Sequence, residues 1–304
     1  MSDNRAIPAS VRVGLPQAQG ELPPVPGSQS IAAPVITEAQ RKRKGEPIDH
    51  SHPATKVVGY IALVLTVLMI LVPLYFIFIT SFKSFQDVYP DPISFWPNPF
   101  KAENYSYVWQ TSGFSSYLKN SVIITLVLTV VEVVLGVLTA YAFAFIRFPG
   151  RNLLFLLIIA SLMVPNQITI ISNYSLVASW GWRDTYAGVI IPLAGVAFGA
   201  FLMRNHFQSL PPEILEAARM DGAGFFTTLF RVVLPMSWPT LSAFVLITVV
   251  NEWNQYLWPF LITDTPAAAT LPVGLTRLQD AEGVTNWAPV MAGTVLTTLP
   301  MIIV

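Results

Sequence analysis

From residue 56 onward the chain is dominated by apolar runs far longer than the turns between them. A helix needs about 20 mostly apolar residues to cross the hydrocarbon of a bilayer. Five segments approach or exceed that length: 57–80, 122–146, 153–171, 186–203 and 232–262, the last overlong and interrupted. A sixth, 288–304, is apolar to its last residue and reads as the start of a final span with a short tail to follow. Barrel strands alternate in roughly ten-residue pieces, so continuous runs predict an all-α integral membrane protein with six transmembrane helices. Residues 1–55 carry eight of the 25 prolines and few aromatics. Such a segment buries too little apolar surface to offset its ordering and predicts a disordered tail ahead of a membrane domain over 56–304. It is too long and polar to begin a signal peptide, and the run after it too long to be cleaved.

Basic residues predict the orientation. With the N-terminus cytoplasmic, the inner segments hold Arg5, Arg12, Arg41, Lys42, Arg43, Lys44, Lys56, Arg147, Arg151, Arg204, Arg219 and Arg231. The outer ones hold Lys83, Lys101, Lys119, Arg183 and Arg277, so the count is twelve against five and both termini are expected inside. The run at 41–44 is either a stop against translocation or a contact for anionic lipid headgroups. In the long outer loop, Tyr89, Trp96, Tyr105, Tyr107, Trp109 and Tyr117 suit interface anchoring, or a partner outside.

Composition agrees with the pattern. Only 11% of the 304 residues are charged and 53% are hydrophobic, with a mean hydropathy of +0.57. Soluble domains carry about 25% charged residues. Seventeen basic residues balance seventeen acidic ones, which removes any bulk-charge argument for nucleic acid. The absence of cysteine excludes disulfides, thiolate metal sites and cysteine nucleophiles. No GxxxxGK[ST] loop is present to cradle nucleotide phosphates, and no HExxH or nucleophile elbow. His50 and His52 lie in the tail and His206 stands alone. A membrane enzyme acting on lipid therefore lacks its machinery, and a transport component is the stronger reading.

The stretch 209–235 reads SLPPEILEAARMDGAGFFTTLFRVVLP. Ser209 suits a helix cap, and Pro211 and Pro212 fit only a first turn, where a missing N–H costs nothing. Glu213 and Glu216 follow near the positive end of the helix dipole. Ile214, Leu215, Ala217 and Ala218 give a small apolar face, ahead of Arg219 and Asp221, and Gly222 supplies a left-handed stop. Phe225, Phe226, Leu229 and Phe230 start a second amphipathic stretch before Leu234 and Pro235. A short surface helix of this kind either docks into a groove on another protein or only anchors its loop.

This stretch resembles the EAA loop of ABC-importer permeases, patterned EAA, three residues, Gly, nine residues, Ile-x-Leu-Pro. Here it is Glu216-Ala217-Ala218, three residues, Gly222, nine residues, then Val232-x-Leu234-Pro235, with Val232 the one departure. Arg147-Phe148-Pro149-Gly150-Arg151, Leu162-Met163-Val164-Pro165 and Leu210-Pro211 resemble the carbohydrate-uptake class. Trp253-Asn254-Gln255-Tyr256-Leu257-Trp258-Pro259 and Glu282-Gly283-Val284-Thr285-Asn286-Trp287 are similar to the second permease subunit of sn-glycerol-3-phosphate importers. The resemblance covers most of 57–304. It implies a type I ABC importer permease fold in the bacterial plasma membrane, with a second homologous permease, an ATPase dimer and an extracytoplasmic solute-binding protein as partners. It implies that the EAA helix couples the chain to the ATPase through Glu213, Glu216, Ala217, Ala218, Arg219, Asp221, Gly222, Leu234 and Pro235. ATP and Mg would be bound by that partner, and the chain itself would hold no cofactor and catalyse nothing.

Two acidic residues lie well within apolar segments, Glu132 and Glu252. A charge at the bilayer centre costs at least about 2.5–3.5 kcal/mol on insertion scales, so each should face protein or water. Glu132 reads either as a glutamate bridging helices or as a functional group. Asn251, Asn254, Gln255 and Trp258 share one helical face by spacing, with Glu252, Trp253 and Tyr256 beside them, and Trp258-Pro259 is expected to interrupt the helix. The segment reads either as lining a translocation path or as knitting two permease subunits together. Asn166, Gln167 and Asn173, after Pro165, are further candidates for the path. Gly195 and Gly199 form a GxxxG step that predicts close helix packing. For the glycerophosphodiesters that the resemblance implies, such as glycerophosphocholine, Glu252 repels phosphate but attracts a choline-like cation, with Trp253, Tyr256 or Trp258 offering ring faces. The alternatives are a permease for di- or oligosaccharides and, in another class, an ion-gradient-driven carrier, which leaves the EAA spacing unexplained.

Overall fold

The structure is a computed structural model that describes residues 53–89, 94–111, 113–279 and 285–304, and the backbone alone at 53, 54, 111 and 166. Most of the predicted tail and residues 282–284 of the second glycerol-phosphate motif lie outside the described residues. By its contacts the chain divides into residues 1–62 and 63–304. The described part of the first unit is the opening of helix α1 (Pro53–Thr80), and the second unit holds everything that follows.

Two helices are long and apolar enough to cross a membrane unbroken, α1 and α4 (Phe114–Phe145). Residues 63–74 of α1 are apolar on every side and exposed on every side, as a helix facing lipid should be. Between them lie the short α2 (Phe85–Val88) and α3 (Glu103–Thr111). Three bent pairs pass the same test of length and composition when each is taken as one span. They are α5 (Arg151–Leu162) with α6 (Asn166–Ser179), α7 (Tyr186–Leu193) with α8 (Ala197–Gln208), and a long third pair. The third joins α10 (Phe225–Met236) to α11 (Trp238–Trp253) and α12 (Leu257–Ile262), and α9 (Pro212–Met220) precedes it. The bends measure 96°, 43° and 84°. The chain closes with α13 (Leu271–Thr276) and the 17-residue α14 (Trp287–Ile303).

Among the described residues two of the six predicted spans are unbroken helices; with each bent pair taken as one span the number is five, and 288–304 falls on the shorter apolar α14. Proline explains why 153–171 is not one helix. Pro165 caps α6 with extended backbone and has no N–H to continue α5. The 84° bend of the last pair falls at Ser237, between Met236 and Trp238. Trp258-Pro259 does not mark the later interruption between α11 and α12, which falls before it, at 254–256. Pro259 has no N–H for the carbonyl one turn back, so the helix ends before it and Pro259 sits in the first turn of α12.

α4 is the central strut. It packs against α8 most extensively, and also against α7, α11 and α13. Three apolar cores string along it. At one end Phe114 and Tyr117 pack with Val108, Trp253, Leu271 and Val273. Midway Ile124 and Leu128 pack with Val177, Val189, Trp258 and Ile262. At the end nearest α9, Val137, Ala140 and Tyr141 pack with Met203, Phe207, Leu229, Val233 and Phe244. Tyr105 and Tyr117 are therefore packed inward, whereas Tyr89, Trp96, Tyr107 and Trp109 remain exposed as interface rings would be.

Gly199, but not Gly195, serves close packing. A Cβ placed on Gly136 would stand 3.1 Å from Gly199 Cα and 3.2 Å from the Phe244 ring. A Cβ on Gly199 would collide with that ring outright. Overpacking of this kind costs about 1–3 kcal/mol. Gly199→Ala should therefore lower the melting temperature of the detergent-purified protein, and Phe244→Leu in the same chain should recover most of the loss. Equal melting of Gly199→Ala and parent would show that the helices do not meet here.

Candidate functional site

The first two bends and the break at 254–256 converge on one cavity of about 740 Å³. Glu132 reaches it from the middle of α4, Ser161 and Leu162 from the end of α5, and Gln167, Thr169, Ile170 and Asn173 from α6. Pro192, Leu193, Gly195, Ala197 and Phe198 border the second bend, and Thr248, Asn251 and Glu252 line it from α11. Asn254, Gln255, Leu257 and Trp258 complete the wall at the break between α11 and α12.

The bends supply backbone groups that a continuous helix would have bonded internally, and side chains take them up. Pro192 leaves the Gly188 carbonyl without its helical donor, and Trp258 Nε1 donates to it at 3.1 Å. Pro259 does the same to the Gln255 carbonyl, which accepts from Thr270 Oγ1 at 3.4 Å. Gly195 N–H donates to the Leu193 carbonyl at 2.6 Å and to Glu132 Oε1 at 3.3 Å. Gly195 is thus part of the cavity rim, not a packing step.

Of the residues singled out for the path, Asn251, Glu252, Asn254, Gln255, Trp258, Gln167 and Asn173 share this cavity. Glu252 is 7% exposed, and its Oε2 is buried without a hydrogen-bond partner. Trp253 and Tyr256 do not line the cavity. Trp253 turns into the core and donates from Nε1 to the Thr297 carbonyl at 3.1 Å, while Tyr256 is exposed beside Phe260. The side chain of Asn166 lies outside the described residues. Glu132, Gly195, Phe198 and Thr248 belong to the wall but were not among the candidates. The signal for Glu132 was its isolation as a carboxylate in an apolar run, and for Gly195 the preceding Pro192.

The 209–235 stretch forms a separate surface. Ser209 does not cap α9: its hydroxyl donates to the His206 carbonyl at 2.7 Å and closes α8, because Pro211 and Pro212 set the start of α9 themselves. At the other end Ala223 N–H bonds the Ala218 carbonyl and Gly222 N–H the Arg219 carbonyl, both at 3.0 Å. With Gly222 at φ +74°, this is the paired closure of a Schellman motif. Leu215 and Ala218 pack inward, whereas Glu213, Glu216, Ala217, Arg219, Met220, Asp221 and Gly222 are exposed, Met220 at 88%. Leu234 is half-buried against the same core, and Pro235 is exposed beyond a π-helical turn, Leu229–Val233.

Residues 132–304 match the family described as the binding-protein-dependent transport system inner membrane component. The sn-glycerol-3-phosphate transport system permease protein UgpE of Yersinia pestis is 37% identical over 252 residues, which cover 81% of this chain and 90% of that protein. The protein of the same name from Brucella abortus (strain 2308) is 33% identical over 260 residues, covering 83% and 92%. A solved bacterial ABC transporter involved in the import of the acidic polysaccharide alginate superposes with a TM-score of 0.72 at 25% identity, over 83% of this chain and 95% of that one. A bacterial alginate ABC transporter in complex with a pentasaccharide-bound periplasmic protein shares the fold at a TM-score of 0.61 and 14% identity, over 81% and 90%.

The chain belongs to the binding-protein-dependent family of inner membrane transport components. It is a multi-pass permease subunit of an ABC importer with the type I fold, not an enzyme or a gradient-driven carrier. Permeases of this class work with an ATPase and a solute-binding protein.

The natural chain has no cysteine, so single cysteines report the cavity directly. Asn173→Cys, Asn251→Cys and Gln255→Cys should react with a water-soluble thiol reagent in the assembled importer, and Trp253→Cys should stay unreactive. The reverse order would place the water-filled wall on the other side of α11.

Proposed function

We propose that the chain is one of two homologous permeases in an importer of glycerol-3-phosphate and glycerophosphodiesters such as glycerophosphocholine. It would work with an ATPase dimer, which binds the ATP and Mg, and with an extracytoplasmic solute-binding protein. The observation that carries this reading is the 37% identity, over 90% of its length, to a protein named for sn-glycerol-3-phosphate transport. The membrane domain is residues 56–304, with both termini cytoplasmic.

In this reading the cavity is this chain's share of the translocation path. Its wall pairs amides with carboxylates, which suits hydroxyl-bearing solutes. α9 is the coupling helix. Its exposed face, Glu213, Glu216, Ala217 and Met220, repeats at three- and four-residue steps and meets the ATPase, while Ala218 and Leu215 tie it to the α4–α8 core. ATP-driven closure of the ATPase dimer then moves α9 with that core, and the cavity opens alternately to the two sides. The second reading, an oligosaccharide importer, is favoured by the likeness to the alginate transporter at a TM-score of 0.72.

One experiment separates them. The importer is reconstituted in proteoliposomes with its binding protein, and ATPase stimulation is measured with glycerol-3-phosphate, glycerophosphocholine and a disaccharide. The glycerophosphates should stimulate and the disaccharide should not; stimulation by the disaccharide alone would move the chain to the second reading. Gly222→Asp should abolish most of the stimulation in an assembled complex. A non-glycine residue held in the left-handed region costs about 1–2 kcal/mol, a factor of roughly 5–30 in the population of a correctly closed helix. Full stimulation in that variant would remove α9 from the coupling role.

A further inference from the structure

The cavity wall carries two carboxylates, Glu132 and Glu252, and no lysine, arginine or histidine. Both line the same wall, so neither offsets the other. Glu132 spends Oε1 on the Gly195 N–H, a 3.3 Å bond that fixes its carboxylate against the second bend. Glu252 is more exposed to the consequence. It is more than nine-tenths buried, and its Oε2 has no hydrogen-bond partner among the described residues. A buried polar oxygen without a partner costs about 1–3 kcal/mol, and a carboxylate at membrane depth more.

We propose that the Glu132–Glu252 end of the cavity is a subsite for a cationic nitrogen, an ammonium or quaternary ammonium group, carried by the transported solute. This rests on reading the cavity as the translocation path. The wall suits an organic cation better than a metal ion. Among the described residues no group of three His, Asp or Glu side chains is placed to hold a metal, and calcium takes six to eight oxygen ligands. Phe198 and Trp258 line the same wall, and aromatic rings recognise quaternary ammonium groups. The rings are not those of Trp253 and Tyr256, which stand outside the cavity.

The test uses the assembled importer carrying Asn251→Cys as a reporter, with labelling by a water-soluble thiol reagent as the readout. Choline chloride should slow labelling in the otherwise parental complex, while glycerol and sodium chloride at the same concentration should not. Glu252→Gln and Glu132→Gln keep the side-chain shape and an accepting oxygen, and each should remove the choline effect. Equal protection by sodium chloride would assign the site to an inorganic cation and overturn the proposal. Unslowed labelling with choline, or choline protection that survives both variants, would overturn it as well.

Uptake gives a second readout, with the same binding protein throughout. Each glutamine variant should lower uptake of glycerophosphocholine about tenfold relative to glycerophosphoglycerol, which has an uncharged alcohol in place of choline. An equal fall for both solutes would make the glutamates structural and overturn the subsite. If the parent takes up neither solute but choline still protects the reporter, the glycerophosphate reading falls and the subsite stands.

Discussion

The rest of this structure depends on where proline leaves backbone groups unbonded inside apolar surroundings. Away from water every carbonyl and N–H needs a partner from the protein itself. Pro192 and Pro259 each strip one carbonyl of its helical donor, and each carbonyl is met from a different element: Gly188 by the Trp258 indole, Gln255 by the Thr270 hydroxyl. These two bonds tie α7 to α12 and the α11–α12 break to the start of α13. The second bend and that break are therefore cross-linked, and both border the cavity.

α4 connects this region to both ends of the molecule. Its 32 residues extend about 48 Å at 1.5 Å per residue, with Glu132 near the middle. Its two ends are built differently. At one, Asn120 donates to the Pro266 and Ala269 carbonyls at 2.9 Å and accepts from Tyr186 at 2.7 Å, so its amide is used on both sides. Asp184, at φ +56°, accepts from the N–H groups of Asp264 and Thr265, and Arg183 pairs with Asp264. That end is joined by specific polar bonds. At the other, the packing is aromatic and aliphatic: Leu215 of α9 packs on the core, Phe225 of α10 meets Tyr141 edge-on at 4.6 Å, and Tyr141 and Phe145 both face Phe207. Packed apolar surfaces slide more readily than hydrogen-bonded clasps break, so movement of α9 would reach α4 through the end better able to accommodate it.

The sequence made some of this legible and hid the rest for identifiable reasons. Apolar length located each span, because burial in lipid sets composition over a whole segment. The stop at Gly222 was legible because a left-handed closure needs glycine, and the EAA spacing fixed where it falls. The bends were harder. Helical spacing around Asn251 holds only for an unbroken 3.6-residue period, and α11 ends at Trp253 with non-helical backbone at 254–256. That is why Asn254, Gln255 and Trp258 still reach the cavity while Trp253 and Tyr256 do not. Ser209 misled in a similar way, since a hydroxyl beside two prolines closes the preceding helix as readily as it opens the next. Glu132 and Glu252 are 120 positions apart, and only the approach of α4 and α11 brings them to one wall.

The charge of that wall bears on how an anionic solute would pass. The described chain places its basic side chains near the ends of the helices, Arg147, Arg151, Arg204, Arg219 and Arg231 toward α9, and Lys83, Lys101, Lys119, Arg183 and Arg277 toward the other end. None lines the cavity. A phosphate entering beside Glu132 and Glu252 would meet repulsion and no compensating side-chain cation from this chain. In the importer proposed above, a glycerophosphodiester would have to lie with its phosphate away from this wall. The second permease is then the natural source of the cation or donors that hold the phosphate. A solute with charges of both signs can satisfy both halves at once, whereas glycerol-3-phosphate can satisfy only one.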